Sequence, residues 1–357
     1  MAVDRVPLVE YPARRIALIK PSALGDIVHS LPVLTALRNR YPDAHITWVV
    51  NRGYEPLLRG HPDLDATLPF ERASRANPLY AALTFGRFLS RLRRERFDLV
   101  LDLQGLLRSG LMALATGAAR RVGLTSAREG ASWFYTDIVE VGDVRTLHAV
   151  ERYWRAAQAL GAADGELCFR VPLPDAARRW AEAAVRDCPR PWLVLGVGSR
   201  WQTKRWPPEH FAALARRAQE EFGGTALFVG AGDEVLPARQ TATHLPGPVR
   251  DFTGRTTLPQ LAALLSLADV MIANDTGPLH LAAALGRPVV APYTCTQVRL
   301  TGPYTAVGGA VETTVWCRGS LRKRCDRMEC MTELTPQRLW PALEEVLTTW
   351  QTRCRCA

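Results

Sequence analysis

The chain has 357 residues, 47% of them hydrophobic and 22% charged, and 45 Lys and Arg against 35 Asp and Glu give it a net charge of +10. That length suits two domains rather than one, the composition is that of a water-soluble globular protein, and no apolar run reaches the roughly 18–20 residues of a membrane span. The first residues lack the basic-then-apolar pattern of a secretory signal and the eight cysteines are scattered, so a disulfide framework is not expected and a cytoplasmic address is.

The first readable unit is Arg15 to Lys20, an apolar run without alternation, as in a strand buried on both faces. A turn at Pro21–Gly25 leads to a helix expected from Asp26, with Ile27, Leu31, Leu34 and Leu37 on one face and Pro32 inside its first two turns. His45–Val50 and Phe97–Asp102 read as further strands, and Asp102 leads into Leu103-Gln104-Gly105. Around 171–191 the texture shifts to Pro-rich and Ala/Arg-rich stretches, the mark of an inter-domain region. Strands then resume at Trp192–Gly196, Thr225–Val229, Ala268–Ala273 and Arg287–Ala291, with helices at Pro208–Glu221, Leu258–Leu267 and His280–Leu285 between them. Alternating strands and helices imply parallel sheets covered on both faces. The expected architecture is α/β, two Rossmann-like doubly wound domains over 1–172 and 173–335, followed by a C-terminal helix and tail over 336–357.

In such sheets ligands bind beyond the carboxyl ends of the strands, and four loops there carry useful side chains. In Lys20-Pro-Ser22-Ala-Leu-Gly-Asp26, Asp26 serves either as a helix cap or as a carboxylate aimed at a substrate. In Asn274-Asp275-Thr276-Gly277-Pro-Leu-His280 a strand again runs into a helix, where free N–H groups and a hydroxyl suit a diphosphate. Gly198-Ser199-Arg-Trp201-Gln-Thr203-Lys204-Arg-Trp206 offers hydroxyls, two indoles that can pack on sugar or base, and one of only three lysines in a chain with 42 arginines; the alternative is a surface loop pinned by Trp206 ahead of a helix opened by Pro207 and Pro208. Gly230-Ala-Gly-Asp-Glu234 places a carboxylate where nucleotide folds hold ribose.

Two other patterns are set aside. Asp63-Leu-Asp65 has the form of a metal-bound nucleotide-sugar motif but precedes a strand-like segment instead of closing one, so it reads as a loop. Cys317, Cys325 and Cys330 lack a fourth neighbouring ligand for zinc, which leaves buried or redox-reactive thiols.

Taken together the loops resemble the ADP-heptose-using heptosyltransferases of lipopolysaccharide core synthesis, glycosyltransferase family 9. The matching pieces are Lys20–Asp26 with His29-Ser-Leu-Pro32, Trp48-Val-Val50, Asp102–Gly105, Ala127-Arg-Glu129, His148–Arg152, Lys204–Pro207, Gly230–Gly232, and Asp275–Gly277 with His280. The resemblance implies the GT-B architecture, two domains facing across a cleft, and an inverting reaction that needs neither metal nor cofactor. It implies Asp26 as general base and Lys204 as a catalytic cation, with Ser199 and Lys204 on the donor diphosphate and Glu234 on the ribose or adenine side. Asp275, Thr276, Gly277 and His280 would hold the ADP-sugar, while Lys20, Ser22, Gln104, Arg72 and Arg75 would face the acceptor. In the same vein, some of the arginines of the 70–96 segment (Arg72, Arg75, Arg87, Arg91, Arg93, Arg94, Arg96) would bind acceptor carboxylates or phosphates, the alternative being a solvated helix face.

The implied partners are ADP-heptose and an anionic glycolipid acceptor, with peripheral contact at the inner membrane face through that lipid and no nucleic acid. Two other readings remain at this stage. One is the same fold with a UDP- or GDP-sugar or another acceptor. The other is a non-catalytic nucleotide-sugar or polyanion-binding protein, for which the charge of +10 is the only support.

Overall fold

The computed structural model describes residues 6–71, 77–163, 165–304 and 307–355. Contacts divide the chain into two compact units, Met1–Pro172 and Leu173–Ala357. Each is built on one six-stranded, all-parallel sheet. In the first, β1 (Arg15–Ile19), β2 (His45–Asn51), β3 (Ala66–Phe70), β4 (Leu99–Asp102), β5 (Arg120–Leu124) and β6 (Asp137–Val139) lie in the order β3-β2-β1-β4-β5-β6. In the second, β7 (Trp192–Gly196), β8 (Thr225–Phe228), β9 (Val249–Asp251), β10 (Val270–Ala273), β11 (Val289–Tyr293) and β12 (Gly308–Glu312) lie in the order β12-β11-β10-β7-β8-β9. Counted from its own first strand, each unit therefore has the same doubly wound order, and each reverses direction between its first and fourth strands. Ligands of such sheets sit at that switch point. In register, Ile19 of β1 lies beside Asp102 of β4, and Gly196 of β7 beside Ala273 of β10.

The central strands are buried because they are apolar without alternation: Ile16 to Ile19, Leu193 to Leu195 and Val270 to Ile272 are fully enclosed. The helix following β1 spans Leu24–Arg40, so it begins two residues before Asp26, which is its third residue. It also continues through Pro32, in its third turn, giving up the bond a backbone N–H there would make to the Val28 carbonyl. The helix expected from His280 starts earlier, at Gly277. The Leu258–Leu267 helix has the expected bounds, and Thr257 caps it by accepting the Gln260 N–H. The C-terminal Pro336–Arg355 helix packs within the second unit, where Leu339, Leu343 and Leu347 join its core. None of the described helices is long and apolar enough to cross a membrane.

Candidate active site in two switch points

In the first unit the loops after β1 and β4 converge on a buried lysine. The Lys20 ammonium donates to the Leu103 carbonyl at 3.0 Å and to the Tyr153 hydroxyl at 2.8 Å, and lies 3.8 Å from Asp26 Oδ1. Tyr153 comes from the Ala149–Ala159 helix and donates its own proton to Asp26 Oδ1 at 3.2 Å. Burial by itself would lower the Lys20 pKa, but the charge of Asp26 and the Tyr153 hydroxyl outweigh it and hold it above its ordinary value. Tyr153 is pushed up by burial and then by Asp26, with Lys20 opposing. Lys20 is thus a cation and Tyr153 a neutral phenol.

Asp26 closes the first turn of its helix and is still partly open. Oδ2 accepts the Ala23 N–H at 3.1 Å, closing the first turn, while Oδ1 takes the phenol; the side chain is still 41% exposed. Next to it, Ser22 and Gln104 line a cavity of about 390 Å³, together with Asn51, Arg108 and Glu129 and an apolar wall that includes Phe70, Phe85 and Leu107. Asp102 shapes the Gln104 turn from below. Buried at the end of β4, it accepts the Gln104 and Gly105 N–H groups at 2.8 and 3.2 Å and the Tyr135 hydroxyl at 2.7 Å. Gly105 has φ +64° and lies so close to Ala127 that an added Cβ would sit 3.1 Å from its Cα. Gln104 Oε1 is buried with no hydrogen-bond partner among the described residues.

In the second unit the loops after β7 and β10 are joined by Lys204. Its ammonium donates to Asp275 Oδ2 at 2.5 Å and to the Asp275 carbonyl at 3.4 Å. Three more groups reach the same carboxylate: Thr296 Oγ1 at 2.7 Å, Tyr293 Oη at 3.1 Å and His280 Nε2 at 3.2 Å. Burial opposes the charge on Asp275, but His280 and Lys204 prevail and hold its pKa well below the usual carboxylate range. Asp275 is therefore charged at neutral pH, and four donors, Lys204, His280, Tyr293 and Thr296, occupy its two oxygens.

Thr276 stands before the first turn of the Gly277–Ala284 helix and donates to the Asn274 carbonyl. The N–H groups of that turn face the carboxyl edge of the sheet, a natural place for phosphate oxygens. Ser199 is buried in the β7 loop, and its carbonyl accepts the Arg205 guanidinium at 2.6 Å. Glu234 lies against the backbone of Gly198 and Gly230, where a Cβ on either glycine would collide with it. Its Oε2 accepts the Ala231 N–H at 2.9 Å, and burial raises its pKa.

A family model for glycosyltransferase family 9 (heptosyltransferase) matches residues 85–331. The chain belongs to that family. It is 32% identical to lipopolysaccharide heptosyltransferase 1 of Pseudomonas aeruginosa, over 95% of this chain and 99% of the relative. The solved family 9 glycosyl transferase of Veillonella parvula superposes with a TM-score of 0.81 at 22% identity, covering 94% of this chain and 98% of that one. The ADP-heptose lipopolysaccharide heptosyltransferase II of E. coli does so with a TM-score of 0.76 at 23% identity, covering 94% and 99%. Like its relatives in family 9, the chain is a glycosyltransferase of GT-B fold.

Within this family 9 chain, the site residues expected from sequence fall into two groups. Lys20, Ser22, Asp26 and Gln104 meet at the first switch point, and Ser199, Lys204, Glu234, Asp275, Thr276, Gly277 and His280 border the second. Arg72 and Arg75 lie outside the described residues. Trp206 is a core residue and packs on no ligand: it is fully buried against Phe211 and donates its indole N–H to the Leu334 carbonyl at 2.6 Å. Trp201 is only half-buried, and two ammonium groups approach its ring, Lys204 at 4.9 Å and Lys323 at 5.3 Å from the centroid.

Lys323 was missed by sequence reasoning, although its rarity among 42 arginines was a usable signal. The strap that carries it is zipped to the loop after β11 by Gly319 N–H to Thr294 O and Leu321 N–H to Cys295 O. Asp63 and Asp65 are structural. Asp63 is buried on Arg170 and Thr35, and Asp65 accepts the Ile46 N–H and pairs with Arg38. The Cys330 thiol is raised to about 11, first by burial and then by Cys317, Cys325 and Cys295 nearby, which makes it an unreactive core thiol.

Proposed function

We propose that this family 9 enzyme transfers a heptose from ADP-heptose to an acidic saccharide of a lipopolysaccharide-core acceptor, with inversion and without a metal ion. The observation that carries the reading is the asymmetry of the two carboxylates: Asp26 is partly open and held by a phenol and an ammonium, whereas Asp275 is saturated. In this reading the acceptor hydroxyl lies against Asp26 Oδ1, positioned by Ser22 and Gln104. As its oxygen bonds to the anomeric carbon, the bond from that carbon to the diphosphate oxygen breaks, the hydroxyl proton passes to Asp26, and ADP departs.

A carboxylate suffices as the base when the proton leaves late, as the sugar becomes oxocarbenium-like. The charge growing on the diphosphate meets Lys204 and the first-turn N–H groups after Thr276, cations and dipoles already in place. Lys204 is paired with Asp275, so Lys323, also beside the Trp201 ring, supplies a second ammonium. Ser199 and Glu234 border the nucleotide side. The lipid-linked acceptor sets the work at the inner membrane face.

The test is transfer from ADP-heptose to a deacylated core acceptor, followed by NMR of the new linkage, alongside thermal shifts with ADP, UDP and GDP. Transfer with inverted configuration, chelator resistance and selective stabilisation by ADP support the reading. Selective stabilisation by UDP or GDP replaces the donor, and retention of configuration removes Asp26 as a simple base.

A further inference from the structure

Asp26 is the third residue of its helix, and an aspartate there needs one anchor to close the turn, the bond from the Ala23 N–H to Oδ2 at 3.1 Å. With that anchor alone the carboxylate still turns about its bond to Cβ, because a terminal sp³–sp² torsion has broad wells. In this chain the other oxygen is anchored as well. Oδ1 accepts the Tyr153 hydroxyl at 3.2 Å, from a second helix and 127 residues further along the sequence. One anchor on each oxygen fixes the plane of the carboxylate.

Lys20 gives the second anchor its direction. An ammonium only donates, whereas a phenol carries one proton and also accepts. Lys20 Nζ lies 2.8 Å from the Tyr153 oxygen, so that oxygen accepts there and its single proton is left for Asp26. The ammonium is held in turn by the Leu103 carbonyl at 3.0 Å, and the Lys20 carbonyl accepts the Trp48 indole N–H at 3.1 Å. At 3.8 Å the ammonium is too far from Asp26 Oδ1 for a hydrogen bond, so the phenol is the link between them. Lys20 and Tyr153 are both buried, and burial keeps the phenol protonated.

The phenol is itself well placed. The Ala149–Ala159 helix that carries it is capped by His148, whose Nδ1 accepts the Val150 N–H at 3.1 Å. The His148 ring stands edge-on to that of His29 at 5.3 Å, three residues after Asp26. The helices bearing phenol and carboxylate thus pack side by side at the end where the two groups meet.

We propose that Tyr153 is the positioning residue of the base: with Lys20 behind it, the phenol fixes the plane of the Asp26 carboxylate and leaves the remaining lone pair of Oδ1 for the acceptor hydroxyl. Lys20 then acts through Tyr153 and touches no acceptor. As the acceptor oxygen bonds to the anomeric carbon, its proton passes to that free lone pair, while Tyr153 keeps its own proton and Lys20 its charge. Tyr153 and Lys20 do this work only if Asp26 is the base, the reading on which their assignment rests.

The experiment is steady-state transfer from ADP-heptose to a deacylated core acceptor by the full chain and its Tyr153→Phe, Asp26→Asn and Tyr153→Phe/Asp26→Asn variants. Tyr153→Phe keeps the ring and loses the proton donor. It is expected to lower kcat by about 10–100-fold, the scale of a misplaced reacting group, with KM for both substrates and the affinity for ADP within about twofold of wild type. In the Asp26→Asn background the same change should cost less than about twofold, since no base is left to aim. Tyr153→Phe also strips a buried ammonium of an acceptor, so Lys20→Met/Tyr153→Phe, which removes both polar groups, is measured beside it together with melting temperatures. The same fall in kcat with an unchanged acceptor KM is expected. A rise of about tenfold in acceptor KM confined to the variant lacking Lys20 overturns the proposal by placing that ammonium on the acceptor. Equal losses from Tyr153→Phe in both backgrounds overturn it in favour of a structural role. Wild-type kcat in Tyr153→Phe beside a depleted Asp26→Asn overturns it and leaves Asp26 as base. Wild-type kcat in Asp26→Asn removes the base, and the role of Tyr153 with it.

Discussion

The two units repeat one topology and even one device, a lysine from the loop after the first strand bonded to a backbone carbonyl after the fourth. Lys20 reaches Leu103 O and Lys204 reaches Asp275 O. They differ in what surrounds the carboxylate. In the second unit four donors, Lys204, His280, Tyr293 and Thr296, occupy Asp275. In the first, Asp26 stands in the first helical turn with an oxygen that, among the described residues, meets Tyr153 and Lys20, and its side chain partly in solvent. Doubly wound order decides where a site can be; the number of donors around one carboxylate decides whether that carboxylate can take a proton or only hold a cation in place.

The largest effect that sharpens this comparison is on turnover. Asp26→Asn keeps the cap but cannot accept the proton, and kcat should fall by about 10²–10⁴, measured as ADP release with saturating donor and acceptor. Lys204→Ala should lower kcat/KM for donor by roughly 10²–10³, the scale of losing one electrostatic stabiliser. It also strips a buried carboxylate of its cation, so urea unfolding should show a loss of about 3 kcal/mol. Asp26→Asn, on a partly exposed side chain, should cost far less.

The two carboxylates also separate by pH. The Asp275 pKa is depressed in the folded state, so its stabilisation is complete above the unfolded value of about 3.9 and is lost as pH falls below it toward the folded value. Acid unfolding of the wild type should steepen below about pH 4, and Asp275→Asn should flatten that limb while lowering stability at neutral pH. The smallest expected change is Lys323→Ala, a rise of about fivefold in donor KM that shrinks with salt, with Lys323→Arg close to wild type. An unchanged donor KM would leave Lys204 and the helix terminus as sufficient.

The sequence made the central strands legible because each is a short apolar run: β1, β2, β4, β7, β8 and β10 are enclosed and composed for it. β6, β9 and β12 are edge strands of three to five residues, partly exposed along their length, and carry no such run. The motif loops were legible as chemistry because lysine is rare here and because a strand running into Asp-Thr-Gly or Leu-Gly-Asp leaves polar groups at a helix start. What could not be read was who meets them. Tyr153 lies 127 residues from Asp26, and Tyr293 and Thr296 lie 18 and 21 from Asp275, distances at which local spacing says nothing about contact. Trp206 shows a choice that only the fold makes: beside Lys204 its indole could meet a ligand or pin the loop, and Phe211 and the Leu334 carbonyl hold it in the core.

The most direct test of the division of labour is calorimetric titration of ADP into the Asp26→Asn and Lys204→Ala variants. Separate roles predict an affinity within about twofold of wild type for Asp26→Asn and weakened at least tenfold for Lys204→Ala, one charge-assisted contact being worth a factor of that order. Equal weakening in both, or wild-type affinity after loss of Lys204, would contradict the assignment of acceptor activation to one switch point and donor binding to the other.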